Sequence, residues 1–312
     1  MMMRLTVTSV RRVIATLCTI ALMILSLTGC GGVVSSSKSK ETSSGVVSAV
    51  TGQPQGPTIT IGVATDLPGL GYWHDGAYSG FDIDVAVYVA QALGYSSRQI
   101  IFTQVEPQDR VRVLADSSAD MVVAGFAITD ESVQQVTVAG PYLEVRPAVL
   151  VHQQDAKTDT LPDTLSSAEA LDALHAHDVT LCAAQGTAVH TMIEHYQLSA
   201  LRDYRTYGQC MTALMAGSVD AIAGDDVILP GLIRERRAQY RMVVDADAAD
   251  QMKYGIAVAR GRDELAKKIA ATLRTMVTDG SWQRYVDNNL VPLGYRPAHT
   301  LSTDDIVVHS AA

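Results

Sequence analysis

The sequence predicts an α/β fold made of two similar lobes, and three observations support this prediction. Strand-like and helix-like segments alternate from Thr58 to about Val258, which is typical of largely parallel sheets flanked by helices. About 280 of the 312 residues follow an N-terminal leader, enough for one large domain or two modest lobes. A faint internal repeat relates residues 113–125 to residues 213–225.

The predicted elements begin directly after Pro57. Residues 59–64 alternate in the manner of a short strand, and turn-forming residues occupy 68–80. Apolar side chains at helical spacing predict a helix over 82–93, which Gly94 ends. Residues 100–105 are the next predicted strand, so the chain opens with a strand–helix–strand unit.

The two copies of the repeat each read as a helix end, a tight turn, an aspartate and an apolar strand. Asp120 matches Asp220, and Gly125 matches Asp225, 100 residues further on. Because ligands bind beyond the carboxyl ends of parallel strands, we expect Gly125 and Asp225 on opposite sides of one cleft. A chance match between two ordinary helix–turn–strand units is the other interpretation.

The N-terminal segment, residues 1–29, has the features of a secretory signal peptide. It is basic at its start and then apolar over 13–27, shorter than the ~20 residues that span a bilayer. Leu27-Thr28-Gly29-Cys30 resembles the lipobox of bacterial lipoproteins. This resemblance implies cleavage before Cys30, lipid attachment to its thiol and a location on the extracytoplasmic face of the cell membrane. An uncleaved anchor and a signal without lipidation are the alternatives.

Composition restricts the remaining chain. Residues 30–57, rich in Ser, Thr and Gly, predict a flexible tether. With 47% hydrophobic and 18% charged residues the rest is globular, and a net charge of −9 weighs against nucleic acid as a partner. In an exported protein Cys182 and Cys210 form an even pair that predicts a disulfide, with two separate buried thiols as the alternative.

Several short motifs occur in a characteristic order across nearly all of the mature domain. They cover residues 66–72, 79–86, 124–131, 140–142, 185–187, 219–221, 224–226, 254–258 and 279–282. The ordered set resembles the polar-amino-acid-binding proteins of ABC importers, in particular the glutamate- and glutamine-binding lipoproteins.

This resemblance implies a type II periplasmic-binding-protein fold, in which two hinge strands join lobes that close on a ligand. We expect the hinges near 143–150 and 250–257. Lobe 1 would comprise 58–146 plus 254–298, lobe 2 would comprise 147–253, and 299–312 would be a C-terminal tail. The expected partners of this monomer are a small polar solute, an ABC permease and, through the lipid, the membrane. No cofactor is expected.

The candidate ligand-binding residues follow from the same motifs. An amino acid's ammonium needs a carboxylate once water is excluded, and we assign Asp225 to it, with Asp66 as a second candidate. Tyr72 is expected to supply an aromatic wall, a role that Trp73 would also fit. Three further positions, which lie in the motifs that carry the resemblance, complete the candidate set: Gly125, Ala127 and Thr187.

Three positions depart from the family pattern. The arginine that grips a ligand's α-carboxylate is replaced by Ser132, and two hydroxyl residues are replaced by Ala127 and Ala188. We therefore expect ordinary amino acids to bind poorly unless another cation substitutes, for which Arg146 is the candidate. The alternative is a ligand with an amine and no carboxylate. The simpler interpretation of Arg146 is a solvent-exposed charge, and we interpret Arg110 and Arg112 in the same way.

Other function classes remain in the comparison. One is a ligand-sensing or assembly lipoprotein that has lost transport. The other is a dehydratase of cyclic acids, an enzyme class that uses this fold but also needs a cation for its substrate; we expect no enzymatic activity. His190 and His195 are five residues apart and do not align on one helix face, so no metal site is expected.

Overall fold

The computed structural model describes residues 56–196, 201–246, 251–297 and 299–311. The predicted signal peptide (1–29), the lipidation site Cys30 and nearly all of the predicted tether lie outside the described residues. Within the described ranges, no helix has the length and apolar character needed to cross a membrane.

The strands follow one another along the chain as β1 (Ile59–Val63), β2 (Asp66–Leu67), β3 (Gly71–His74), β4 (Ala77–Ser79), β5 (Ile100–Gln104), β6 (Met121–Ala127), β7 (Val136–Val145), β8 (Pro147–His152), β9 (Thr164–Leu165), β10 (Leu181–Ala184), β11 (Leu201–Tyr204), β12 (Ala221–Asp225), β13 (Tyr240–Asp245), β14 (Met252–Ala259) and β15 (Val307–His309). The helices are α1 (Phe81–Ala92), α2 (Arg110–Ala115), α3 (Asp130–Gln135), α4 (Ser167–Ala176), α5 (Ala188–His195), α6 (Tyr207–Met215), α7 (Leu229–Leu232), α8 (Asp263–Thr278) and α9 (Ser281–Asn289).

The described strands build two larger sheets, one in each lobe, and helices flank both. The first sheet has the order β15-β7-β14-β6-β1-β5, and the second has the order β11-β10-β12-β8-β13-β9. The expectation of mostly parallel sheets holds only in part, because both sheets are mixed. Strand β1 runs parallel to β5 and β6, but β14 runs antiparallel to β6 and β7. In the first sheet β14, on which the chain returns from the second lobe, lies beside β7, by which the chain left, and in the second sheet β8 runs antiparallel to β12 and β13.

The first connection between the lobes lies within the described residues. Strand β7 of the first sheet ends at Val145, Arg146 follows, and β8 of the second sheet begins at Pro147. On the return, Met252 of β14 pairs with Val145. The start of β14 therefore lies beside the end of β7, where the first connection leaves the first lobe.

The internal repeat is a structural repeat. In the first lobe Asp120 Oδ2 accepts a hydrogen bond from the backbone N–H of Thr60 at 2.8 Å. In the second lobe Asp220 Oδ2 accepts one from the N–H of Thr180, also at 2.8 Å. Each aspartate thus ties the turn before one strand to the neighbouring parallel strand, and chance similarity is not needed to explain the match.

The predicted disulfide between Cys182 and Cys210 is confirmed. It joins β10 to α6, with Cα atoms 5.7 Å apart and both side chains fully buried. The bond lies entirely within the second lobe and fixes α6 against the sheet that it covers.

The segment predicted as a C-terminal tail contributes a strand to the first lobe. Val307 of β15 pairs with Gly140 of β7, and the N–H of Ala311 donates to the carbonyl of Val133. The side chains of Leu301 and Ile306 are buried beneath this segment. Two apolar anchors in a polar stretch were too weak a periodic signal to predict the strand.

Candidate ligand-binding cleft

The two lobes meet through close backbone contacts. A Cβ atom built on Gly231 of α7 would lie 2.1 Å from the carbonyl oxygen of Pro68 in the first lobe. One built on Gly186 would lie 2.5 Å from the Cα of Gln108. Between these points Arg205 Nε donates to Glu106 Oε2 at 2.7 Å. The structure therefore has its lobes in contact around a central cleft.

Replacing Gly231 with alanine is expected to hold the lobes apart, because the new methyl group would collide with the Pro68 backbone rather than with a mobile side chain. We expect ligand affinity to fall at least tenfold and the radius of gyration with ligand to increase in small-angle X-ray scattering. Gly208→Ala is the matched control, because its Cβ would meet nothing closer than 3.7 Å. Equal affinities for the two variants would contradict this account of closure.

A cavity of about 260 Å³ lies between the lobes at the ends of β6 and β12. We call it the inner cavity. Its lining combines one arginine, one aspartate and two tyrosines with small and apolar residues: Arg110, Gly125, Ala127, Thr187, Ala188, Val189, Tyr207, Asp225, Ile228, Met252 and Tyr254. Four of the six predicted ligand-binding residues are among them, and Gly125 and Asp225 come together across the cleft as the repeat predicts.

Asp225 is held rigidly at the end of β12. Its Oδ1 accepts hydrogen bonds from the N–H groups of Val227 (3.3 Å) and Ile228 (2.9 Å), and its Oδ2 accepts one from the Tyr254 hydroxyl. Burial raises the pKa of Asp225 to about 7. A carboxylate with this surrounding loses much of its hydration and is poised to accept a cationic group.

Arg110, interpreted from sequence as exposed, is buried in the cleft with 6% of its surface accessible. Its Nη1 donates to the carbonyl of Gly125 at 3.1 Å. Its Nε is buried and has no hydrogen-bond partner within the described part of the chain. Burial lowers the pKa of this guanidinium. Helical spacing carried the missed signal, because Arg110 lies on the same face of α2 as the buried Val113 and Leu114.

The fully buried carboxylate of Asp82 supports the contact between Arg110 and Gly125. Asp82 Oδ2 accepts from the N–H of Gly125 at 3.0 Å, and Oδ1 accepts from the Tyr142 hydroxyl at 2.9 Å. Burial raises the pKa of Asp82 to about 6. Asp82 therefore fixes the peptide of Gly125, whose carbonyl receives Arg110. Asp82 is not among the residues that the sequence predicted for the site.

The remaining candidates lie elsewhere. Arg146 Nε lies 3.0 Å from Asp226 Oδ2. Arg146 lines neither the inner cavity nor the larger cavity beside it, which is described below, so it is not the substitute cation. Asp66 accepts from the N–H of Gly208 in α6 at 3.2 Å, and the Arg234 guanidinium carbon lies 5.4 Å from the ring centre of Tyr72. Asp66 and Tyr72 thus contact the opposite lobe outside the inner cavity.

No cluster of three or more His, Cys, Asp or Glu suited to a metal ion occurs among the residues that the structure describes. The polar groups that line the inner cavity are one cation, one carboxylate and several hydroxyls. The cation and the carboxylate can pair with the two opposite charges of a small molecule.

Comparisons with known proteins point the same way. A model of the bacterial extracellular solute-binding proteins, family 3, matches residues 59–291. The glutamate-binding protein GluB of Corynebacterium efficiens is 30% identical over 275 residues, which cover 85% of this chain and 86% of that protein. The ABC transporter glutamine-binding protein GlnH of Bacillus subtilis is 28% identical over 262 residues, covering 83% of this chain and 90% of that protein. The solved cysteine-binding protein from Campylobacter jejuni has a TM-score of 0.67 at 24% identity, and covers 81% of this chain and 96% of that one.

Proposed function

The chain belongs to family 3 of the bacterial extracellular solute-binding proteins, and we propose that its solute is a small amino-acid zwitterion that it delivers to an ABC importer. Relatives named for glutamate and glutamine binding support this proposal. Closure about the solute would create the form that docks on the permease.

The observation that carries the proposal is the presence of Arg110 and Asp225 in one cavity. An amino acid buried between lobes needs an anion for its ammonium and a cation for its carboxylate. We assign the ammonium to Asp225, in place of the Tyr254 hydroxyl, and the carboxylate to the unpartnered Nε edge of Arg110. Arg110 would supply from α2 the charge that the family pattern places at Ser132, so a ligand without a carboxylate is the weaker explanation.

A thermal-shift screen of residues 31–312 tests the proposal. The panel contains amino acids, their decarboxylated amines, and dicarboxylic acids that lack the ammonium. Ligand at one hundred times its dissociation constant should add ~2.7 kcal/mol of stability. We expect a response only to compounds that carry both charges. If only amines raise the unfolding midpoint, Arg110 does not bind a carboxylate. If no compound in the panel raises it, the proposal of solute capture is contradicted.

Affinity for an amino acid is expected to depend on pH through Asp225. Its pKa is raised to about 7 by burial, so above pH 7 the carboxylate is ionised and ready for the ammonium. Below pH 7 the proton competes with the ligand, and affinity should fall about tenfold per pH unit. Isothermal titration from pH 8 to pH 5 measures this. Asp225→Asn should bind weakly with little slope, whereas an equal slope in that variant would assign the titration to another group, such as Asp82.

We further propose that a lipid on Cys30 anchors the monomeric protein at the extracytoplasmic face of the membrane. The lipobox-like residues support this proposal. In a detergent phase partition the full chain should enter the detergent phase and Cys30→Ala should remain in the aqueous phase. If both remain in the aqueous phase, there is no lipid anchor.

The curated relatives are named as binding proteins. We propose that this chain likewise releases its solute unchanged. Incubation with the solute that the screen identifies, followed by mass spectrometry, should return the starting compound. Turnover of a cyclic acid would favour the dehydratase alternative.

A further inference from the structure

A second and larger cavity adjoins the inner one. It lies between α3 of the first lobe and α5 of the second and has a volume of about 1200 Å³, which includes space open to solvent. We call it the outer chamber. Four residues line both cavities, Arg110, Ala127, Thr187 and Ala188, so the two spaces lie side by side.

All three departures from the family pattern line this chamber: Ala127, Ser132 and Ala188. The Ser132 hydroxyl has no hydrogen left to donate to a ligand, because it donates to the Ala127 carbonyl at 3.0 Å, and it also accepts from the N–H of Thr129 at 2.9 Å. The three replacements therefore act together. They leave less side-chain volume around the chamber, while Arg110 keeps a positive charge where the chamber adjoins the inner cavity.

One residue of the chamber lining, Gln108, carries a polar atom that lacks a partner among the described residues. Gln108 Oε1 is buried and accepts no hydrogen bond within the described residues. The other end of the same amide is fixed, because Nε2 donates to Glu106 Oε2 at 2.8 Å. A buried acceptor left unpaired costs ~1–3 kcal/mol, so an N–H group from a ligand would be favoured here.

The charges of the outer rim restrict what the chamber accepts. Asp130 and Glu131, at the start of α3, are exposed and line the chamber. They disfavour a ligand end that is negatively charged. The chamber thus suits an extension that donates one N–H and ends in a neutral or cationic group.

Resting on the proposed function, we propose that the solute is an amino acid whose side chain continues through an N-substituted amide into the outer chamber, of the γ-glutamyl amide class. The α-ammonium and α-carboxylate would lie between Asp225 and Arg110. The amide N–H would donate to Gln108 Oε1, and the substituent would fill the space left by the small side chains.

Calorimetry on residues 31–312 with four probes tests this inference. The probes are glutamate, glutamine, γ-glutamylethylamide and γ-glutamylglycine. We expect γ-glutamylethylamide to bind at least tenfold more tightly than glutamine, and γ-glutamylglycine, with its anionic end, to bind more weakly than the ethylamide. If glutamine or glutamate binds as tightly as the ethylamide, the inference fails and the proposed function stands. If no probe and no other amino acid binds, both fail.

Two substitutions and one control test whether the preference for the ethylamide over glutamine arises in the outer chamber. Ser132→Arg should fill the space and abolish the advantage of the ethylamide over glutamine, while Gln134→Arg adds the same charge at an exposed position on α3 that does not line the chamber. Gln108→Leu should weaken all three amides, glutamine, γ-glutamylethylamide and γ-glutamylglycine, fivefold to tenfold and leave glutamate unchanged. An unaltered preference in Ser132→Arg, with the unliganded midpoint intact, would overturn the assignment.

Discussion

Replacing Arg110 with glutamine is expected to weaken the binding of a carboxylate-bearing solute about a hundredfold or more. The guanidinium is buried and donates to the Gly125 carbonyl, and its Nε has no hydrogen-bond partner among the residues that the structure describes. Removing one partner of a buried charge pair costs ~2–5 kcal/mol, much of it because the other charge is left desolvated. Isothermal titration with the best ligand from the screen measures the loss.

Arg112→Gln is the matched control, since it removes the same charge two residues away. Arg112 is exposed and pairs with Asp109 and Asp116 on its own helix, so we expect wild-type affinity. Arg110→Gln should leave the binding of amines without a carboxylate unchanged. Equal losses for the two variants would show that net charge, and not a local contact, attracts the solute.

The disulfide should make the largest single contribution to stability. Cys182 and Cys210 are 28 residues apart in sequence, and in the chain-entropy model a bond that closes such a loop stabilises by about 3–4 kcal/mol. We expect Cys182→Ser with Cys210→Ser to lower the free energy of unfolding by that amount or more, because two hydroxyl groups would also be buried. Chemical denaturation measures it.

Reduced wild-type protein provides the comparison for the double variant. A loss under reducing conditions close to that of the variant would assign the effect to the bond itself, and a greater loss in the variant would measure the cost of the buried hydroxyls. A change below 1 kcal/mol in both would contradict a stabilising role. Because β10 leads directly into Thr187 and α5, we also expect the reduced form to bind its solute less tightly.

Sequence reasoning located the cleft because its clues are local. Gly125 and Asp225 follow apolar strands after matching turns, and strand ends in such folds meet at the binding edge. This inference depends only on the order of strands and turns along the chain and not on tertiary packing. Asp66 and Tyr72 show its limit, since a motif position does not determine whether a side chain faces the ligand or the opposite lobe.

Arg110 was misread for a different reason. A charged residue near a helix start is usually solvated, and two arginines within three residues look like a polar surface. Whether Arg110 is buried depends on β6 and the opposite lobe, which come from distant parts of the chain. Asp82 and strand β15 were missed likewise, because their partners lie far away in sequence.

The two charges of the inner cavity belong to different lobes: Arg110 to the first and Asp225 to the second. A solute that carries both an acid and an amine would therefore contact both lobes at once, whereas a simple acid or a simple amine would contact one lobe only. A molecule with a single charge would then gain little from closure of the lobes, in keeping with the lack of a thermal shift expected for it. The importer would thus meet a closed protein only when one molecule supplies both charges.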